Sequence, residues 1–352
     1  MAAHTIPLFL DCDPGIDDAI AIAYLLCQGD VEITGIAASG GNVSTAQVVR
    51  NTLGWLALAG RPDLPVHRGA TAPLAHADDD AAYAEVTHGD TGSGYAALPE
   101  SAAAPAAATA AQAWVEAARA HPGELIGVVI GPSTNLALAL ELEPELPRLL
   151  RRLFVMGGAF NYRGNTLPTT EWNVSYDPEA AARVFGAFGA ASVAGSAPHP
   201  LVVGPIEATE MVEMTPERWR RIAEGAEGGA AWSGVLHELG EALRFYFEFH
   251  EQDGHGYLAH IHDPFVLAAA LEWARRDRAA TGDGRIPWAE TALAPIDVEL
   301  TGTLTRGETV ADWLGRWERP AGAELIRRVE AERFLDHLTD TLMKGPQHDR
   351  TR

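Results

Sequence analysis

DCDPGIDDA, running from Asp11 to Ala19, follows directly on the apolar run IPLFLDC (Ile6 to Cys12). An apolar run ending in acids, a Pro14-Gly15 turn and then a helical pattern from Asp17 to Gly29 read as strand, turn and helix. Asp17 and Asp18 fall in the first helical turn, where carboxylates oppose the positive end of the helix dipole. In a parallel α/β sheet the loops at the carboxyl ends of strands line the ligand crevice, so Asp11, Asp13, Asp17 and Asp18 mark a candidate site. Four converging carboxylates repel one another unless a cation or bound protons compensate. Helix capping alone accounts for Asp17 and Asp18, but not for Asp11 and Asp13 on the strand side.

The same alternation continues along the chain. EITGIAAS (Glu32 to Ser39) predicts a strand, followed by a helix over TAQVVRNTLGWLALAG that ends at Gly60. LPVHRG, LIGVVIG (Leu125 to Gly131) and RLFVMGG (Arg152 to Gly158) predict further strands. STNLALALELEPEL predicts a helix with Ser133 as N-cap. Near-continuous apolar strands are expected where helices cover both sheet faces. The chain therefore reads as α/β, with an open, mostly parallel central sheet and helices on both faces, in a single domain over 1–352. Residues 345–352 are expected to be a disordered tail, and Ala96 to Ala113 a surface connection running into a helix. The Gly-rich EGAEGGA precedes an aromatic-rich helix, Leu243 to His250, which together with the loop through Tyr257 is a candidate lid.

Composition narrows the function. A formal net charge of −22 lacks the basic footprint needed for nucleic acid. Hydrophobic residues at 47% supply ample core. Cys12 and Cys27, in a strand-like and a helical run, read as small buried hydrophobes rather than a disulfide or metal pair. The N-terminal MAAHTIPLFLDCDPG lacks a basic n-region, and no apolar run reaches membrane-spanning length. A cytoplasmic protein without membrane partners is the expectation. For the acidic cluster, calcium is the fitting cation, a hard ion that takes about 6–8 oxygens. Zinc is disfavoured without Cys or paired His ligands nearby.

DCDPGIDDA resembles the N-terminal fingerprint of the inosine–uridine-preferring nucleoside hydrolase family. GGNVS (Gly40 to Ser44), GPSTNLALAL (Gly131 to Leu140), VMGGAF (Val155 to Phe160), TEWNVSYDPEAA (Thr170 to Ala182), HDP (His262 to Pro264) and LTRGETVADW (Leu304 to Trp313) follow in the family's order and at similar spacings. The ordered set spans most of the chain. The resemblance implies a Rossmann-like core and an enzyme that hydrolyses the N-glycosidic bond of ribonucleosides to ribose and free base. It also implies a homodimer or homotetramer working in nucleoside salvage.

Position by position, the resemblance makes Asp13, Asp18, the Thr134 carbonyl and Asp263 the calcium ligands. Asp263, just before Pro264 and an apolar helical run, also suits an N-cap. Asp13 is then the general base for a calcium-bound water attacking the anomeric carbon, through an oxocarbenium-like transition state. Asp17 and Asn173 take the 2′- and 3′-hydroxyls, Asn165 and Glu171 the 5′-hydroxyl, and Asn42 also reaches the ribose. His262 is the leaving-group acid, its ordinary pKa near neutrality suiting that role. His88 contacts sugar or base, and Trp172 and Met156 wall the pocket.

The chain departs from the family at HGDTGSGY, with Asp90, Thr91 and Ser93 where members more often carry an apolar residue near the last position, and EFHEQDGHGYLAHIHDP is not diagnostic of a base. Both segments are expected on the base side. Two alternatives compete. A phosphotransferase of the haloacid-dehalogenase type would use Asp11 as nucleophile, Asp13 as acid/base and magnesium. It lacks a downstream lysine and paired-Asp signature, and a phosphoryl substrate wants positive charge. A non-catalytic calcium or ribose binder would have no need of a base at Asp13.

Overall fold

The computed structural model describes residues 5–75, 83–279 and 284–346. Its strands are β1 (Ile6–Cys12), β2 (Val31–Ala38), β3 (Val66–Arg68), β4 (Leu125–Val129), β5 (Leu150–Met156), β6 (Leu201–Gly204), β7 (Glu213–Met214), β8 (Ala259–His260), β9 (Ala289–Ala294), β10 (Ile296–Val298), β11 (Thr309–Ala311) and β12 (Ala323–Val329). Eight of them form one sheet in the order β3-β2-β1-β4-β5-β6-β12-β9. Only the last pairing, β12 with β9, is antiparallel within it. The sheet is thus mostly parallel, as the alternation of strand and helix predicts. β7 with β8 and β10 with β11 make separate antiparallel pairs.

All seven residues of β1 are buried. Leu8, Leu10 and Cys12 face one apolar cluster together with the helices Ile16–Leu26, Gly229–Gln252, His262–Arg278 and Ala331–Lys344. Phe9 faces the other, built with the helices Ala110–Ala120, Thr134–Leu142 and Pro178–Val193. Helices on both faces explain why these strands carry no polar alternation before their carboxyl ends. Cys12 and Cys27 are free and buried, as expected.

Several boundaries moved. The first helix covers Ile16–Leu26 rather than Asp17 to Gly29, and the second ends at Leu58. Ser133 stands at the N-cap of Thr134–Leu142, but its side chain makes no capping bond. Asp263 is not a cap: the helix begins at His262, Ile261 is the N-cap, and Asp263 lies in the first turn. The Gly-rich run EGAEGGA supplies the loop 225–228 between the helices Pro216–Glu224 and Gly229–Gln252, and the aromatic segment forms the last turns of the second. The connection from Ala96 does run into a helix, at Ala110, where Thr109 and Gln112 form a capping box. Residues 347–352 of the expected tail, and 77–82 of the acidic loop before His88, lie outside the described residues.

The strand order reverses between β1 and β4, the switch point where open α/β sheets bind ligands. Asp11 pairs with Ala37 of β2 and Val129 of β4, so three strands end together there. The loops leaving them carry Asp13, Asn42 and Ile130 into one cavity.

Candidate active site

A cavity of about 530 Å³ opens at this switch point. Asp13, Asp17, Asp18, Asn42, His88, Met156, Asn165, Glu171, Trp172, Asn173, His262 and Asp263 all line it. Of the residues that the resemblance gives a role in metal or nucleoside binding, Thr134 alone does not; it is buried at the start of its helix and its hydroxyl donates to Asp177 at 2.7 Å.

The floor is acidic. Asp18 accepts from the backbone N–H of Asp13 (3.1 Å) and of Gly15 (3.0 Å), so it caps its helix while tying down the loop that carries Asp13. Asp17 accepts from the backbone N–H of His262 at 3.2 Å, joining the first helix to one 245 residues away. Asp17, Asp18 and Asp263 each place an oxygen within 4.8 Å of the others. Burial pushes Asp17 up to about 6 and Asp18 up to about 7. Asp263 and Asp13 lie well above the usual carboxylate range, first through burial and then through their acidic neighbours.

Asp13 is the least satisfied member. Its Oδ2 accepts from the backbone N–H of Asn42 at 2.8 Å, while its buried Oδ1 has no hydrogen-bond partner. Two glycines leave room for this carboxylate. A Cβ at Gly131 would stand 2.6 Å from Oδ1, and one at Gly41 would run into Oδ2. Converging buried carboxylates, with no sulfur or nitrogen ligand in the tight group, suit a hard divalent cation.

Asp11, by contrast, is spent on structure. Its carboxylate accepts from Trp114 Nε1 (2.8 Å), Asn135 Nδ2 (3.0 Å) and the Ser39 hydroxyl (3.0 Å), and it does not line the cavity. A phosphotransferase with Asp11 as nucleophile therefore has no nucleophile facing the site.

The loop and short helix after β5 form the opposite wall. Glu171 caps the helix Trp172–Tyr176, accepting from the N–H groups of Asn173 (2.8 Å), Val174 (3.1 Å) and Gly158 (2.8 Å). Burial raises its pKa against the pull of these three donors. Asn173 Nδ2 donates to the Ile130 carbonyl at 2.8 Å, which leaves Oδ1 for the cavity. Asn165 Oδ1 accepts from the backbone N–H of Trp172 at 3.0 Å and so holds the loop over the short helix.

Imidazoles crowd the remaining side. The Ile16 N–H donates to His88 Nδ1 at 3.2 Å, so the neutral His88 ring carries its proton on Nε2. Burial, helped by His250, lowers His88 to about 3. His262 is likewise held well below its ordinary value, by burial and then by His260. The near-neutral pKa expected for it from sequence does not survive burial. His250, His255 and His260 also line the cavity, with Tyr246 and Phe249. Sequence reading missed these as site residues, although HEQDGHGYLAHIH, spanning 250–262, concentrates histidine conspicuously. Ile206 and Glu210 were missed too, and nothing local in the sequence marks them.

The departures in HGDTGSGY do not reach the cavity. Asp90 and Thr91 are exposed, Ser93 is buried, and none of them lines the cavity. The second segment does line it, through Phe249, His250, Asp253, His255, His260 and His262.

Fold and site together are those of an α/β protein with an acid-floored pocket at the switch point of its sheet. The family model described as inosine-uridine preferring nucleoside hydrolase matches residues 8–336, and the chain belongs to that family. It is 32% identical over 338 residues to the pyrimidine-specific ribonucleoside hydrolase RihA of Citrobacter koseri, covering 96% of this chain and 98% of the relative. The RihA of Salmonella typhi is 33% identical over 341 residues, again covering 96% and 98%. Among solved structures, a plant nucleoside hydrolase aligns with TM-score 0.80 and the purine-preferring ribonucleoside hydrolase of Gardnerella vaginalis with 0.81. Each is 26% identical, over 96% of this chain and 98% of its own. The chain is a ribonucleoside hydrolase, releasing ribose and a free base. No helix among the described residues is long and apolar enough to cross a membrane.

Proposed function

We propose that hydrolysis is calcium-dependent, with Asp13 as general base and His262 as leaving-group acid. The observation that carries this reading is the buried, unpartnered Asp13 Oδ1 beside the Asp17, Asp18 and Asp263 trio. Asp13, Asp18 and Asp263 would hold calcium, with the Thr134 carbonyl added by family resemblance. When bound, calcium supplies positive charge that makes a water more acidic and gives vicinal hydroxyls an anchor.

Asp13 takes the proton of the attacking water, its carboxylate aimed by the Asn42 N–H and confined by Gly41 and Gly131. Asp17 and Asn173 hold the 2′- and 3′-hydroxyls, Asn42 adds a ribose contact, and Asn165 and Glu171 receive the 5′-hydroxyl. Glu171 and the acidic floor favour the positive charge that develops on the sugar as the C–N bond breaks. Met156 and Trp172 wall the sugar side, and His88 offers its Nε2 proton to sugar or base. His262, neutral when the site is free, takes up a proton from solvent on Nε2 and passes it to the departing base as the C–N bond breaks.

We place the enzyme in the cytoplasm as a homodimer or homotetramer serving nucleoside salvage, on family analogy. Pyrimidine ribonucleosides are the first substrates to test, because the two RihA relatives, 32% and 33% identical, are named for that specificity. Calorimetric titration of dialysed protein with calcium tests the ligand set. Wild type should bind one calcium per chain, and Asp18→Ala and Asp263→Ala should lose it. Unchanged binding in Asp263→Ala would overturn the assignment.

A further inference from the structure

Thr209 closes the short helix Ile206–Thr209 that follows β6 and is fully buried. Its hydroxyl lies 2.8 Å from His262 Nδ1 and 3.2 Å from the carbonyl of Pro205, one helical turn back. A carbonyl only accepts, and a hydroxyl has a single proton. With that proton on Pro205, the common back-bond of threonine at a helix end, the Thr209 oxygen accepts from His262 Nδ1–H. That arrangement fixes the imidazole in orientation and in tautomer together. Its second nitrogen, Nε2, is left for the cavity that His262 lines. The His262 backbone is pinned separately, by its N–H donating to Asp17, so main chain and ring are each held by one partner.

We propose that Thr209 is a positioning residue for the leaving-group step, holding His262 through Nδ1 so that Nε2 faces the departing base. The proposal rests on the reading of His262 as leaving-group acid. In that step the Nε2–H bond breaks and a new N–H bond forms on the base. The electron pair of the C–N bond stays with the base. The ring left behind is the neutral Nδ1–H tautomer, which is the form the Thr209 oxygen holds. Thr209 touches no substrate, since it lies behind the ring and does not line the cavity.

Two substrates separate this role from a packing role. A ribonucleoside needs help for its leaving base, whereas 4-nitrophenyl ribofuranoside releases a stable phenolate without a proton. Thr209→Val keeps the shape and removes the acceptor. It should lower kcat on the best nucleoside by at least about tenfold, change KM less than about twofold, and leave the nitrophenyl substrate and calcium affinity untouched. Thr209→Ser should restore kcat. Equal loss on both substrates, or no loss on the nucleoside, overturns the proposal. His262→Ala is the control. If it affects both substrates alike, the leaving-group reading itself fails; if it is selective and Thr209→Val is not, only the role of Thr209 fails. Should Thr209→Val not fold, nitrogen NMR of the calcium-loaded wild type decides. A neutral His262 protonated on Nδ1 is expected, and one protonated on Nε2 overturns the proposal.

Discussion

The backbone N–H of Asn42 donates to Asp13 Oδ2 at 2.8 Å, and the other oxygen of that buried carboxylate has no hydrogen-bond partner. One strand-end loop therefore aims an acid that the next leaves half satisfied. A folded chain keeps such a group where chemistry uses it.

Stability should reveal the cost. Burial and the charge of Asp18 hold the Asp13 carboxyl well above its usual range, so its ionised form destabilises the metal-free fold. In chelator at neutral pH, Asp13→Asn should be more stable than wild type by on the order of 1 kcal/mol. Denaturant midpoints measure this, and a clear loss of stability would contradict it.

Gly131 tests the space around the same carboxylate. A methyl group there would stand 2.6 Å from Asp13 Oδ1 and 3.1 Å from the Asp13 backbone nitrogen. Gly131→Ala should cost about 1–3 kcal/mol by overpacking and weaken calcium binding by displacing Asp13. Calorimetry and thermal melts report both; calcium affinity equal to wild type would show that the carboxylate is not confined as described.

Asp11 should behave differently from Asp13 despite sharing the motif. Asp11→Asn places an amide donor among Trp114, Asn135 and Ser39, which already donate. A stability loss of about 1–3 kcal/mol is expected, with kcat/KM reduced less than about tenfold in the folded protein. Abolished turnover in a fully folded variant would return Asp11 to the list of reacting groups.

The imidazole wall should make the fold acid-sensitive. In the unfolded chain His250 takes a proton below its ordinary 6.5, whereas burial in the fold holds it down to about 4. Between those values the unfolded chain binds the extra proton. The contribution is therefore whole above pH 6.5 and is lost as pH falls through the window, at up to about 1.4 kcal/mol per pH unit. His250→Phe should flatten the stability profile between pH 6.5 and 4, read from urea midpoints. Identical profiles would mean that His250 is protonated in the fold.

The sequence disclosed the central strands and the acidic loop because those signals are local. Ile6–Cys12 reads as a strand from its own residues, and the acids at its end need only the turn at Pro14-Gly15 to converge. Asp263 was placed at a helix start by its Pro264 neighbour, although the helix begins one residue earlier than that signal suggests. What stayed hidden depends on distant partners. Asp11 and Asp13 look equivalent in the motif, and only Trp114 and Asn135, more than 100 residues away, separate them. Asp90 and Ser93 sit in a loop correctly linked to the site through His88, but the turn faces them away from the cavity. Burial also reset His262, whose sequence identity alone implies a group titrating near neutrality.

The most direct test is ribose release from a panel of purine and pyrimidine ribonucleosides by wild type and Asp13→Asn, each with calcium and after exhaustive chelation. Release by wild type with calcium alone, and a rate in Asp13→Asn lower by about 10²–10⁴-fold, is the predicted result. Wild-type rates in chelator, or from Asp13→Asn, would contradict the account.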